Sequence, residues 1–293
     1  MLPLPEDETT WDQYNLMFAT SHGTVRRNLL SDFANIRSNG LIAMKLEDDE
    51  RLIAVSTCTD DQDVLLATRD GKCIRFRIPE VRIFAGRTST GVRGIKLMGD
   101  DEIISMSILT GVTATPDERA AYIKLSRLKR GMDENAAPEE PEDDGVAVDT
   151  AISTERAAEL EALEQFILTV SERGFGKRTS AYEYRTTGRG GQGIQNMEVN
   201  DRNGRIVATF PIGANDGLML VSDGGQVIRT SVKDVRIAGR RTQGVTLFKV
   251  AAEEKVVSVA RIDEESSNDD DAGDIEENGG PVEGTDPSSL PLE

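Results

Sequence analysis

The chain has 293 residues with 34 Lys and Arg against 52 Asp and Glu, a formal net charge of −18, and such an average argues against a polyanion as partner because like charges repel. No apolar run reaches the roughly 18 residues of a membrane helix, and the start MLPLPEDETT lacks the basic-then-apolar order of a signal peptide, so a cytoplasmic protein without a membrane segment is expected. Two cysteines and one histidine cannot build a zinc site, and neither paired carboxylates nor a nucleophile with its base stands out, so no catalytic residue is expected.

Residues 1–13 form an acidic extension, with Trp11 and Tyr14 expected to pack an N-terminal strand or tail. Residues 14–109 then show one pattern twice. The apolar run Leu16-Met-Phe-Ala19 meets a polar turn ending in Gly23 and continues to Arg27; the run Leu65-Leu-Ala67 passes through Gly71 to Arg75. Run, glycine turn and second β-rich run predict a β-hairpin. His22, in the first turn, reads as a turn residue rather than a catalyst. Each copy proceeds to a second glycine, Gly40 or Gly91, then to a third strand at 41–46 or 94–97 and a fourth at 52–55 or 103–106. Cys58 and Cys73 lie inside or beside apolar runs and are expected as buried thiols.

Residues 110–164 carry fourteen acids and six bases, including the run Pro138-Glu-Glu-Pro-Glu-Asp-Asp144, which no packed core accommodates. Helix start and stop signals bracket 116–131, and 154–164 is rich in Ala, Glu and Leu, so two helices joined by an acidic linker are predicted. The hairpin pattern returns in 165–262, as Phe166-Ile-Leu-Thr through Gly174 to Arg178 and as Leu218-Met-Leu-Val through Gly225 to Arg229, with second glycines Gly193 and Gly244 and later strands at 194–199, 206–209, 245–250 and 256–259. Gly40 and Gly91 lie 51 residues apart, as do Gly193 and Gly244, whereas Gly91 and Gly193 are separated by 102, twice that period. Residues 263–293 hold twelve acids and no base and read as a disordered acidic tail, either a solubiliser or a competitor for a basic surface.

Subtracting the extension, insertion and tail leaves 22 acids and 28 bases in 14–109 and 165–262, so the folded body is +6 and a polyanion is again a candidate partner. Four-stranded units in tandem predict an all-β, propeller-like fold of four blades, with a partly helical acidic insertion and an acidic tail. Arg27, Arg75, Arg178 and Arg229 recur at one register, with Lys177 beside the third, and a spaced row of guanidinium groups suits successive phosphates of a curved duplex. Arg37, Arg87, Arg189, Arg240 and Arg241, just before the second glycines, form a second candidate set. The alternative for each is an ion pair or a cap on a blade turn. The stretch Arg189-Gly-Gly-Gln-Gly193 lacks the Lys-Ser/Thr of a P-loop, so ATP binding is not expected here.

The phrases Ala19-Thr-Ser-His-Gly-Thr-Val-Arg-Arg27, Arg87-Thr-Ser-Thr-Gly-Val-Arg-Gly-Ile-Lys-Leu97, Gly174-Phe-Gly-Lys-Arg-Thr-Ser-Ala-Tyr-Glu-Tyr184 and Gly239-Arg-Arg-Thr-Gln-Gly-Val245 resemble the family of DNA gyrase C-terminal β-pinwheel domains, which belong to the enzyme's A subunit. The resemblance covers both folded stretches. It implies a pinwheel whose basic rim wraps double-stranded DNA, so that an intact enzyme, using ATP and Mg²⁺, introduces negative supercoils together with the remainder of the gyrase A subunit and with the gyrase B subunit. The first unit here resembles the family's third repeat. The nearest match to the family's glutamine-arginine-arginine-glycine-glycine-lysine-glycine box is Thr187-Gly-Arg-Gly-Gly-Gln-Gly193, which lacks the lysine. Tyr14, Tyr122, Tyr182 and Tyr184 all fall in repeat or insertion contexts, so no DNA-cleaving tyrosine is expected. The rival readings are the corresponding domain of topoisomerase IV and a propeller-like scaffold whose basic rim binds an acidic protein.

Overall fold

The computed structural model describes residues 2–35, 40–131 and 152–263. The acidic run at 138–144, Arg37 and the tail from residue 264 onward lie outside these described residues.

The first unit opens with hairpin β1 (Asn15–Thr20) and β2 (Thr24–Leu29) and closes with β3 (Leu52–Cys58). The second contains β4 (Asp63–Thr68), β5 (Lys72–Arg77), the two-residue β6 (Val92–Arg93) and β7 (Ile103–Leu109). After helices α1 (Pro116–Lys129) and α2 (Thr154–Ala162), the third unit supplies β8 (Phe166–Ser171), β9 (Phe175–Ser180), β10 (Ile194–Gln195) and β11 (Ile206–Ile212). The fourth supplies β12 (Gly217–Ser222), β13 (Val227–Ser231), β14 (Val245–Thr246) and β15 (Val256–Ile262). A 3₁₀ turn follows each second hairpin strand.

The all-β, propeller-like expectation holds, but the sheets are not assembled as the linear order suggests. Their orders are β3-β1-β2-β6, β7-β4-β5-β10, β11-β8-β9-β14 and β13-β12-β15. The second, third and fourth units therefore each give their third strand to the sheet of the preceding unit rather than to their own. The run 41–46 of the first unit, expected as a strand, is irregular, and the fourth sheet has three strands among the described residues. Successive closing strands touch one another, β3 with β7, β7 with β11 and β11 with β15. The sheets converge on that side, and the donated strands lie on the opposite, outer rim.

Apolar residues of each blade divide between two faces because successive side chains of a strand point opposite ways. Met17 and Ala19 join Val64, Leu66, Ile74 and Phe76 in a core between the first two blades. Leu65, Ala67 and Cys73, on the other face of the second blade, pack against Ile167, Tyr184 and Ile194 of the third unit. Leu168 and Val170 meet Leu218, Leu220 and Phe248 in the core between the last two. The outward face of the first blade is closed by Trp11, Leu30, Phe33 and Met44, and the Trp11 Nε1 donates to the Pro5 carbonyl at 2.9 Å.

Crossing of the donated strands demands very close backbone approach. Gly193, at φ +73°, lies so near Cys73 that a Cβ would strike the Cys73 carbonyl oxygen. Only glycine combines that dihedral with that proximity.

The insertion is anchored rather than loose where it is described. Thr115 caps α1 in a capping box with Glu118. Ion pairs Arg156–Glu118 (2.9 Å), Lys129–Glu161 (2.9 Å) and Arg130–Glu164 (2.6 Å) join the helices, and Tyr122, Leu160 and Tyr182 form a small core against the third unit.

Candidate nucleic-acid interface

The row of arginines four residues after each hairpin glycine is a structural feature before it is a binding feature. Arg27 is 3% exposed; its Nη1 donates to the carbonyls of Ile78 and Val81 in the next unit, and its Nη2 pairs with Asp60. Arg75 is 5% exposed, donates through Nη1 to the Ala181 carbonyl at 2.8 Å, and pairs with buried Asp63 at 2.7 Å. Arg178 donates through Nε to the Val235 carbonyl at 2.8 Å. Each guanidinium thus binds carbonyls around the 3₁₀ turn of the following unit, those of Ile78 and Ala181 accepting the turn's own backbone N–H as well. Of the row expected to face phosphates, Arg27 and Arg75 point into a blade junction and are buried there. Arg229 occupies the same register, opposite Met219 as Arg27 is opposite Met17, yet is exposed because no further unit covers it among the described residues.

Lys177 is likewise fully buried, its Nζ donating to the carbonyls of Gly239 and Arg240. Arg26, at the equivalent place in the first unit, donates to the Ser89 carbonyl and is also fully buried. Both cations tie a second hairpin strand to the loop that crosses it.

The loop set behaves similarly. Arg87 Nη1 donates to the Asp32 carbonyl at 2.7 Å, and Arg189 Nε donates to the equivalent Glu80 carbonyl at 2.8 Å. Arg240 is 7% exposed and donates to the Gln195 carbonyl, while Arg241 is half-buried. These are latches between neighbouring units, with Arg87, Arg189 and Arg241 retaining part of their surface.

A different set is turned outward. Val81, Tyr184 and Val235 are buried at one register of three successive loops, and the next residues, Arg82, Arg185 and Arg236, are exposed. Arg82 stacks on the Phe84 ring with its guanidinium carbon 4.0 Å from the centroid. These three arginines stand one per blade junction on the outer rim. The signal is present in the sequence: an apolar residue followed by Arg recurs three residues after the start of the second, third and fourth of the hairpin 3₁₀ turns, whereas the first has Phe33 followed by Ala34.

Among the described residues no group of three or more His, Cys, Asp and Glu is placed to hold a metal ion. Cys58 and Cys73 are buried, and burial pushes both thiols up to about 12. No described helix is long and apolar enough to cross a membrane.

Comparison with known proteins matches this architecture unit by unit. The family described as "DNA gyrase C-terminal domain, beta-propeller" matches residues 14–59, 62–110, 165–212 and 218–263, skipping the helical insertion. The DNA gyrase A subunit of Granulibacter bethesdensis is 52% identical over 286 residues, covering 94% of this chain and 30% of that protein. Its counterpart in Rickettsia bellii is 47% identical over 277 residues, again covering 94% of this chain and 30% of its own length. The chain thus spans about 30% of the length of these relatives. Among solved structures, a DNA gyrase A C-terminal domain superposes with TM-score 0.61 at 20% identity, over 88% of this chain and 68% of that one. A DNA topoisomerase IV C-terminal domain superposes with TM-score 0.64 at 18% identity, over 86% and 63%. At such identities the structures speak for the fold, whereas the fourfold family match and the full-length gyrase relatives speak for kinship: the chain belongs to the DNA gyrase C-terminal domain, beta-propeller family.

Proposed function

We propose that this chain is a DNA-binding and DNA-bending domain of a gyrase-like type II topoisomerase, acting at the C-terminal end of a longer gyrase A polypeptide. The observation that carries the reading is the outward row Arg82, Arg185 and Arg236, one exposed guanidinium per junction of a tandem array whose folded stretches hold 28 bases against 22 acids. Phosphate neutralisation of this kind releases counterions and binds without reading sequence. Bending a site of 20–30 base pairs by 40–90° costs roughly 1–6 kcal/mol, which contacts repeated along a rim offset. The domain by itself is non-catalytic and needs no cofactor. In the intact cytoplasmic enzyme, the remainder of the gyrase A polypeptide and the gyrase B subunit supply strand cleavage and the ATP- and Mg²⁺-dependent steps of negative supercoiling. The topoisomerase IV reading rests on a likeness of fold, and the 52% identity to a gyrase relative favours gyrase over it.

The test is binding to fluorescent duplexes of increasing length at two salt concentrations, with a dye pair reporting the distance between the ends. Affinity is expected to rise with length and fall steeply with salt as the ends approach. Salt-sensitive binding without bending reduces the domain to a tether; no binding at either salt overturns the proposal in favour of a protein-interaction scaffold.

A further inference from the structure

The rim is not uniform from one junction to the next. The donated strands and the residues just after them give a register that can be compared directly: Gly91-Val-Arg-Gly-Ile-Lys96, Gly193-Ile-Gln-Asn-Met-Glu198 and Gly244-Val-Thr-Leu-Phe-Lys249. The last residue of each is exposed, and it is a cation at the first and third junctions and an anion at the second. Arg93, exposed on β6, is replaced by Gln195 on β10. Glu198 is held in place by neutral donors, Gln243 Nε2 at 3.2 Å and Asn200 Nδ2 at 3.3 Å. Lys72, exposed on β5 opposite Gln195, offsets that carboxylate, so that with Arg185 this rim segment carries an excess of one positive charge. By contrast, Arg82, Arg93 and Lys96 face outward at the first junction beside one exposed acid, Glu80, and Lys233, Arg236 and Lys249 at the third beside one, Asp234, an excess of two at each. The middle junction is also where α1 packs on the 3₁₀ turn Ala181–Glu183.

We infer that duplex DNA is held mainly at two phosphate-binding stations, one at the first junction around Arg93 and Lys96 and one at the third around Arg236 and Lys249, while the Glu198 junction between them contributes the weakest phosphate contact. The inference rests on the proposed DNA-binding role and specifies where on the rim it is exercised. Physically, a phosphate approaching the middle junction meets a fixed carboxylate at the position where its neighbours offer an ammonium group. Coulomb repulsion there weakens contact, so a duplex that follows the outer rim is held mainly by the stations on either side.

The experiment measures duplex affinity against salt for the full chain and four surface variants, with thermal unfolding of each confirming an intact fold. Each phosphate contact contributes about 0.9 to the slope of log K against log salt. Arg93→Gln/Lys96→Gln and Arg236→Gln/Lys249→Gln are each expected to flatten that slope by about 1.8, Arg185→Gln to flatten it by well under about 0.9, and Glu198→Lys to steepen it by about 0.9. Hydroxyl-radical cleavage of the bound duplex should show two strongly protected clusters separated by a weakly protected stretch. A binding wild type in which Arg185→Gln flattens the slope as much per charge as the outer pairs, or in which protection is uniform, overturns the two-station inference alone. A wild type that does not bind duplex at any salt overturns the DNA-binding proposal together with it.

Discussion

Arg178 and Arg229 stand at the same place in the third and fourth units, and their surroundings are opposite. Arg178 is drawn under the following unit, where it binds the Val235 carbonyl, and loss of water holds its pKa below the usual guanidinium value, with Arg130 adding to the effect. Arg229 is exposed on β13, an edge strand that no donated strand covers among the described residues. One residue in one repeat thus serves as a half-buried staple or as a surface cation according to whether another unit follows it. In a quasi-one-dimensional array, each unit draws much of its stability from its neighbour, so a repeated residue need not have a repeated role.

The widest separation between the two cases is expected at the staple itself. Arg75→Ala leaves Asp63, whose side chain is 2% exposed, buried without its main partner, and should cost about 3–5 kcal/mol. Arg229→Ala should change stability by no more than about 0.5 kcal/mol. Equal shifts of the two denaturation midpoints would show that the staples do not hold the junctions together.

A smaller difference is expected between two hairpin glycines. Gly174, at φ +73°, faces the Phe248 carbonyl where a Cβ would collide, whereas Gly225, at φ +83°, has nothing within 4 Å. Gly225→Ala bears only the strain of the left-handed backbone, about 1–2 kcal/mol, and Gly174→Ala should lose roughly 1–2 kcal/mol more through displacement of the donated strand. Paired urea titrations read the difference directly.

Local opening sharpens the same contrast without any substitution. Amide exchange in β13 is expected to run ahead of exchange in β5 and β9, each of which is hydrogen-bonded on both edges. Uniform protection across the three strands would mean that the fourth sheet is closed by something else in solution.

The smallest effect concerns the thiols, which lie in the covered junctions. Cys58 and Cys73 are raised from 9.0 to about 12 by burial, so the folded state disfavours their thiolates. A raised folded pKa contributes stability that is fully present below pH 9 and is lost as pH rises through 12. Replacing both by Ser or Ala should flatten the alkaline limb of a stability–pH curve. Maleimide labelling of the native chain at neutral pH should be slow and should accelerate on unfolding.

Much of the fold was legible because it is local. Apolar runs separated by glycine turns define the hairpins, a 51-residue spacing defines the units, and the Thr115 and Pro116 start signal defines α1. Which cations face outward was less so. Leu65 and Leu66 are both buried but belong to different cores, because a neighbouring blade covers each face of the second sheet. Alternation along such a strand separates one face from the other without saying which, if either, meets water. Arg75 and Arg77 share one face by that alternation, yet Arg75 is buried and Arg77 is exposed beside the same Asp63.

By itself, then, the sequence determined the repeating hairpins, the two helices of the insertion and the partition of charge between a cationic body and acidic appendages, since these depend on neighbours in the chain and on composition. Only the tertiary structure decided that third strands cross to the preceding sheet, that Arg27, Arg75 and Lys177 are buried inside the junctions, and that Arg82, Arg185 and Arg236 face outward. The reason is that burial in this molecule is conferred by the next unit, whose contacting residues lie from 51 to 106 positions away, and no local pattern records which side of a strand that unit will cover.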